Sequence, residues 1–226
     1  MNEIILIILI GLSLLIIFSL TKLLDKNGLC YALLILDVLG YILSFKITSV
    51  FKMNINTSII PLISSFTCLY ILLIKYGNKD INKIIKITLY SNIIFGLIIL
   101  ITNYYIPALT ETISINIQET FEYNNKILIF YPLAVLLGQY CINKIYGYVT
   151  LIQNNIFLSV ILTYIISAVI YIIIYYLVGY INILSLRDSL YLGITSYIIG
   201  ICITLINIAF IYVINRKKVK KWEILF

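Results

Sequence analysis

One acidic side chain stands inside an apolar stretch of this chain, and it is the first residue to which chemistry can be assigned. Asp37 lies near the middle of LCYALLILDVLGYILSFKITSVF, residues 29–51. About 20 apolar residues span a bilayer as a helix, and an acid within such a helix faces a bundle interior or a water-filled cavity. We therefore expect Asp37 to bind a proton or to accept a hydrogen bond from a substrate N–H group. The alternative is an acid that is merely buried between helices or near the interface.

Two more residues of this stretch are candidates for a binding site. Tyr41 follows Asp37 by four residues and so lies on the same helix face, where its hydroxyl is placed to donate to the carboxyl. Lys46 falls in the last turn of the predicted helix. Its ammonium is expected to reach the membrane interface, and contact with a substrate is the alternative.

A hydroxyl cluster marks another apolar stretch, at residues 58–74. Ser64, Ser65 and Thr67 follow Pro61 within a few residues. Hydroxyls of this kind let helices approach and bond one another. Because proline frees backbone carbonyls nearby, the segment is also similar to the broken helices that line transport sites.

Two amides are spaced for joint action further along the chain. Gln139 and Asn143 are four residues apart and so share one face of a helix. Each amide offers donors and an acceptor, which suits the edge of a purine-like ligand. Hydrogen bonding between helices is the other role for such residues. Tyrosines of a later stretch are expected to pack in the core or at the interfaces, with stacking on a flat ligand as the alternative: Tyr164, Tyr171, Tyr175 and Tyr176.

The elements that position these residues are membrane helices. With 62% apolar and 11% charged residues, the 226-residue chain has too little polar surface for a soluble globule. Its apolar runs of about twenty residues indicate helices rather than a β-barrel. We expect one all-α domain, residues 1–226, with a basic tail at 216–226. Seven predicted spans cover residues 4–20, 29–51, 58–74, 87–106, 127–146, 156–179 and 189–214, with a short surface helix within 108–126 and six spans as the alternative.

Basic residues indicate the orientation of these spans. With seven spans, 12 of the 16 Lys and Arg residues fall on one side of the membrane. Basic loops stay cytoplasmic, so the N-terminus is predicted outside and the tail inside, in a cell membrane. The net charge of +7 is thus explained by topology and anionic lipid rather than by nucleic acid.

Several chemical classes are disfavoured by what the chain contains. The sequence has no histidine, which removes most zinc sites and most acid–base catalysis, and no glycine-rich phosphate loop. A lone intramembrane Asp cannot form an aspartyl dyad. We expect no enzyme activity and no cofactor. The four cysteines are expected to be small core residues: Cys30, Cys68, Cys141 and Cys202.

The order of these features resembles the VUT family, the vitamin-uptake-like or queuosine precursor transporters. Residues 22–81 carry the rhythm K-L-x-x-K-x-G-L, a helix whose YILSFKI reaches Lys46, and a helix ending in Lys75, Tyr76 and Gly77. Residues 136–147, LLGQYCINKIYG, and 153–179 are similar to its later helices. Positions retained are Lys46, Tyr76, Gly77, Gln139 and Ser159, with Asn154 and Asn155 matching if two extra residues are allowed.

The resemblance implies a transporter-type bundle that takes up deazaguanine-type precursors in the inner membrane. Departures from the family pattern imply a different or narrower specificity: Tyr41 stands for Asn, Tyr70 and Ile74 for acids, Tyr164 and Ser167 for Gln and Asp, and Gly200 for Lys. Partners implied are the lipid bilayer and a small-molecule substrate, with a homo-oligomer or an energising subunit as options. The alternatives are a substrate-binding subunit that needs that partner, and a non-transporting paralogue that acts as an interaction protein.

Overall fold

Helices make up most of the residues that the structure describes, with one short β-hairpin between the first two helices. The computed structural model describes residues 1–78, 80–102, 125–152, 155–181 and 183–223. The helices are α1 Asn2–Leu43, α2 Ile59–Tyr76, α3 Ile81–Thr102, α4 Asn125–Ile152, α5 Ile156–Ile172 and α6 Leu186–Glu223, and the strands are β1 Ile47–Val50 and β2 Met53–Asn56. Six helices in this part of the chain are long and apolar enough to cross a membrane. The predicted all-α membrane bundle is confirmed.

Helix α1 folds back on itself at Asp25. Its backbone there has φ 48° and ψ −118°, outside the helical region. A methyl group added at Gly28 would overlap the Leu20 carbonyl, although eight residues of straight helix span about 12 Å. At the other end, Asn2 Nδ2 donates to the Ser49 carbonyl at 2.7 Å. Residues 2–24 and 26–43 are therefore two arms that lie side by side, as the first two predicted spans require.

The second predicted span is wrong in its last third. The helix ends at Leu43, and residues 47–56 form an antiparallel hairpin in which Val50 pairs with Met53. Phe51 and Lys52 both have positive φ, 49° and 62°, as the two central residues of a type I′ turn do. The β-branched residues of ITSV favour a strand, and their apolar character made this stretch look like more membrane helix.

Helix α2 lies at the centre of the bundle. It is the most enclosed of the membrane-length helices, with 83% of its apolar window buried. The alternative in which the helix is broken near Pro61 is not what the structure has, because α2 is continuous from Ile59 to Tyr76. Pro61 stands in the first turn, where backbone N–H groups have no intrahelical acceptor, so its missing donor costs little.

The later elements agree with the predicted spans in order but extend past their ends. Helix α3 begins at Ile81, before the predicted start, and α6 runs beyond the predicted end to Glu223. Helix α5 continues as a π-helical segment, Ile173–Val178. The predicted surface helix within 108–126 lies outside the described residues up to position 124.

Candidate functional site

Asp37 lies on the buried face of the second arm of α1, as its place in an apolar stretch predicts. Its side chain is 1% exposed, and Leu33 and Gly40 are buried on the same face. Helix α1 as a whole packs chiefly against α2. The membrane-spanning helices thus hold an acid in the bundle interior rather than at the lipid surface.

The carboxyl is held by an amide from a distant part of the chain. Gln139 Nε2 in α4 donates to Asp37 Oδ2 at 2.7 Å. Gln139 Oε1 in turn accepts from the Thr88 hydroxyl of α3 at 3.0 Å. Three helices therefore meet in one buried hydrogen-bonded chain, and two of the predicted site residues, Asp37 and Gln139, are in direct contact.

Tyr41 is not the donor to Asp37, contrary to the prediction. Its hydroxyl donates to the Leu128 carbonyl at the start of α4. The Tyr41 ring stacks on Tyr131, with centroids 5.3 Å apart and planes 3° from parallel. This stacking turns the phenol toward α4 instead of back along its own helix.

The second carboxyl oxygen is available for binding. Asp37 Oδ1 is buried and has no hydrogen-bond partner among the described residues. The carboxyl also forms no ion pair within this part of the chain. A buried polar atom without a partner is costly, and this oxygen can accept an N–H group or bind a proton. The Asp37 carboxyl thus has one oxygen bonded to Gln139 and one oxygen without a partner among the described residues.

The hydroxyls of α2 donate hydrogen bonds to backbone carbonyls of their own helix. Ser64, Ser65 and Thr67 donate to the carbonyls of Ile60, Leu62 and Ile63 at 3.0, 2.9 and 2.9 Å. Thr67 also accepts from Asn207 Nδ2 of α6 at 2.9 Å. Ser65 lies within reach of the Asp37 carboxyl. Of the three predicted hydroxyls, Ser65 therefore belongs to the site, and Thr67 joins two helices.

Asn143 shares a face of α4 with Gln139 but has a different partner. Its Nδ2 donates to Asn82 Oδ1 of α3 at 2.8 Å. The buried Asn143 Oδ1 has no partner in the described ranges. The two amides therefore are not positioned to bond the same edge of one ligand. They form successive polar contacts between α3 and α4.

Other predicted site residues lie elsewhere. Lys46 is exposed in the loop between α1 and β1, not in a helical turn. The Ser167 hydroxyl donates to the Thr163 carbonyl at 2.7 Å. Tyr164, Tyr171, Tyr175 and Tyr176 are all at most 1% exposed. Rings of the last three stack on or meet one another, as core packing predicts.

Some of the positions matched to the resembled family lie at helix ends. Lys75 and Tyr76 close α2, and Gly77 follows with φ 74°, a conformation that favours glycine. Asn155 caps α5, and its side chain accepts from the N–H groups of Phe157 and Leu158. Asn154 lies outside the described residues.

Sequence reasoning missed a buried polar cluster below the hairpin. Asn56 Nδ2 donates to the Ser44 carbonyl at 2.7 Å and contacts the hydroxyls of Tyr180 and Tyr175 at 2.7 and 3.3 Å. Tyr175 lies in the π-helical segment and Tyr180 follows its end, and both hydroxyls reach Asn56. Burial raises the pKa of Tyr180, which therefore stays a neutral phenol. The polar run NINTS before α2 was the available signal.

Thr88 was also missed, since a single hydroxyl in an apolar stretch is common and carries no pattern of its own. Of the four cysteines, Cys68 is buried and Cys202 is exposed, so the core prediction applies to Cys68 but not to Cys202. Compared with known proteins, the chain matches no family model, no curated protein and no solved structure.

Proposed function

We propose that this chain is a multi-pass membrane transporter that moves a small polar molecule through the centre of its helix bundle. The observation that carries the proposal is the Asp37 carboxyl, which is buried in the bundle, is anchored by Gln139 and keeps one oxygen without a partner. Ionisable groups inside membrane helices mark substrate or ion pathways because they are costly to keep there. An anchor helix has no need of such a group.

The proposed substrate is a purine-like molecule of the 7-deazaguanine type, such as a queuosine precursor. A guanine-type edge presents neighbouring N–H donors, and a carboxylate with an open oxygen accepts them. The resemblance of residues 22–81 and 136–179 to the VUT family supports the same substrate class. Because Asp37 does not coincide with a polar position expected in that family, we propose a specificity of its own.

The proposed topology places the N-terminus outside and the C-terminus in the cytoplasm of the inner membrane. Basic residues support it. Lys26 forms an ion pair with Asp80, which joins the α1 turn to the link between α2 and α3. Both residues lie at the end that collects most of the Lys and Arg residues, and this is the end that stays cytoplasmic under the positive-inside rule.

Ligand-dependent thermal stability of the purified protein tests the binding part of this proposal. A ligand at about 100 times its Kd stabilises a protein by about 2.7 kcal/mol, so 7-deazaguanine is expected to raise Tm. The same base without its 2-amino group should raise Tm less, because it has lost an N–H donor to Asp37. Asp37→Leu should remove the difference between the two bases.

The outcomes separate the proposed function from its alternatives. Binding without uptake by vesicles that contain only this chain would favour a substrate-binding subunit with an energising partner. If no purine-like compound changes Tm, the transporter proposal for this substrate class fails, and a non-transporting interaction protein becomes the better account.

A further inference from the structure

We propose that the interface between α3 and α4 forms a polar half-channel through which Asp37 exchanges protons with only one side of the membrane, the side at which Asn82 lies. The ligand of this path is the proton, carried by water. Use of the path for coupling rests on the proposed transport function, whereas the path itself does not.

Polar contacts follow one another from Asp37 to the surface. The first is the chain of Asp37, Gln139 and Thr88, with contacts of 2.7 and 3.0 Å. Asn143 follows Gln139 by one helical turn, about 6 Å along α4. It contacts Asn82 at 2.8 Å, and Asn82 is exposed near the start of α3.

Unpartnered acceptors lie within this series and next to it. Asp37 Oδ1, Asn143 Oδ1 and Asn92 Oδ1 are buried without a partner in the described residues. Asn92 follows Thr88 by one turn of α3 and shares its face. Buried polar groups in natural proteins are satisfied by protein or by water, and a buried water needs two to four polar partners. These oxygens and the side-chain amides of Gln139 and Asn143 supply such partners for a buried water.

The opposite direction is closed by aromatic rings. Tyr41 stacks on Tyr131 and meets Phe95 at 5.6 Å between centroids. Tyr131 also meets Tyr175 at 5.5 Å, and its hydroxyl lies against Gly40, one turn from Asp37. This aromatic layer separates the Asp37 carboxyl from the end of the bundle at which the β-hairpin lies. Water therefore reaches the carboxyl from one side only.

The charges around the path are consistent with proton exchange at Asp37. The titratable groups that face it are Cys68 from α2 and Tyr131 from α4. No Lys or Arg contacts the carboxyl in the described chain. The basic residues of α3 nearest this path, Lys83 and Lys86, are exposed near the entrance. Asp37 is thus the acidic group that can titrate on this path. No basic side chain in the described chain lies beside it to keep the carboxyl ionised.

Cysteine accessibility in sealed vesicles of both orientations tests the proposal. In a chain with Cys30, Cys68, Cys141 and Cys202 replaced by alanine, Asn143→Cys is treated with a membrane-impermeant cationic methanethiosulfonate. Asn82→Cys identifies the side of the entrance. The control is Tyr140→Cys, less than one turn of α4 (about 4.5 Å) from Asn143 but 45% exposed on the outer face of the bundle. A thiol in water ionises and reacts, whereas a thiol in lipid stays protonated.

Asn143→Cys is expected to react from the Asn82 side at least about ten-fold faster than Tyr140→Cys, because only thiolates are nucleophilic. Reaction from the opposite side, or at the rate of the control, would overturn the half-channel. Thr88→Cys repeats the test if Asn143→Cys does not insert. Labelling needs no transport, so a failed uptake assay does not affect the evidence for the half-channel. Failed labelling would refute the half-channel but not the proposed transport function.

Discussion

Asp37 and Gln139 lie 102 positions apart in the chain, and their side chains meet at 2.7 Å inside the bundle. The contact joins the second arm of α1 to α4. Both side chains are buried in the bundle, at 1% and 0% exposure. A hydrogen bond in such surroundings is electrostatically strong, and losing either partner leaves the other unsatisfied.

Replacing Gln139 by leucine tests the strength of this contact. The change removes the donor from Asp37 Oδ2 and is expected to lower the free energy of unfolding by about 1–3 kcal/mol. The double variant Asp37→Leu, Gln139→Leu should lose less than the sum of the two single changes, because neither polar partner is left alone. Denaturation in detergent measures both. Additive losses would show that the two side chains are not coupled.

Glycine 40 is a close-packing position for Tyr131. A methyl group there would overlap the Tyr131 hydroxyl, so Gly40→Ala should destabilise the protein by about 1–3 kcal/mol. Gly11→Ala is the matched control, because no atom lies within 4 Å of its added Cβ. In a helix interior that change is expected to be neutral or to stabilise by up to about 1 kcal/mol. Equal effects at both glycines would contradict the packing.

The folding back of helix α1 on itself is tested by a cross-link between its first residue and the β-hairpin that follows it. Asn2 and Ser49 are in hydrogen-bond contact, so cysteines at both positions of the cysteine-free chain should form a disulfide on oxidation. Loss of both free thiols is measured by alkylation and mass. The pair Asn2→Cys and Lys26→Cys, one at the open end and one at the turn of the folded-back α1, should keep its thiols. If the cysteines at positions 2 and 49 also keep their thiols after oxidation, α1 is not folded back on itself.

Asn56 is expected to be a stabilising residue beneath the β-hairpin. Asn56→Leu removes the donor to the Ser44 carbonyl and the acceptor of the Ser58 N–H group at 2.9 Å. We expect a loss of about 1–3 kcal/mol, because the buried Ser58 N–H group is left without its acceptor. The Ser44 carbonyl still accepts from the hydroxyls of Tyr175 and Tyr180 at 3.1 and 3.2 Å. Asn54→Leu, on an exposed residue of the same strand, should change stability by less than about 0.5 kcal/mol. Thermal denaturation compares the two.

Apolar runs and turn residues were enough to predict the membrane helices, including the reversal near Asp25. They failed at residues 47–56, because a short apolar strand and a membrane helix have similar composition. Asp37 could be singled out, since an acid in lipid is costly wherever it occurs. Its partner was predicted wrongly as Tyr41, which lies one turn away on the same helix, because the packing of Tyr41 on Tyr131 that turns its hydroxyl toward α4 depends on tertiary structure. Thr88 and Asn82 depend on the pairing of α3 with α4, which no local pattern encodes.

Uptake of labelled 7-deazaguanine into vesicles that contain the purified chain, measured across a range of pH, tests the central claim most directly. The wild-type protein is expected to take up the base at a rate that varies with pH, because Asp37 must bind and release a proton. Asp37→Asn cannot titrate and should give a pH-independent rate. Asp188→Asn, which alters an exposed acid at the start of α6, should keep the wild-type profile. An unchanged profile in Asp37→Asn would contradict proton coupling, and no uptake by the wild type would contradict the transport account itself.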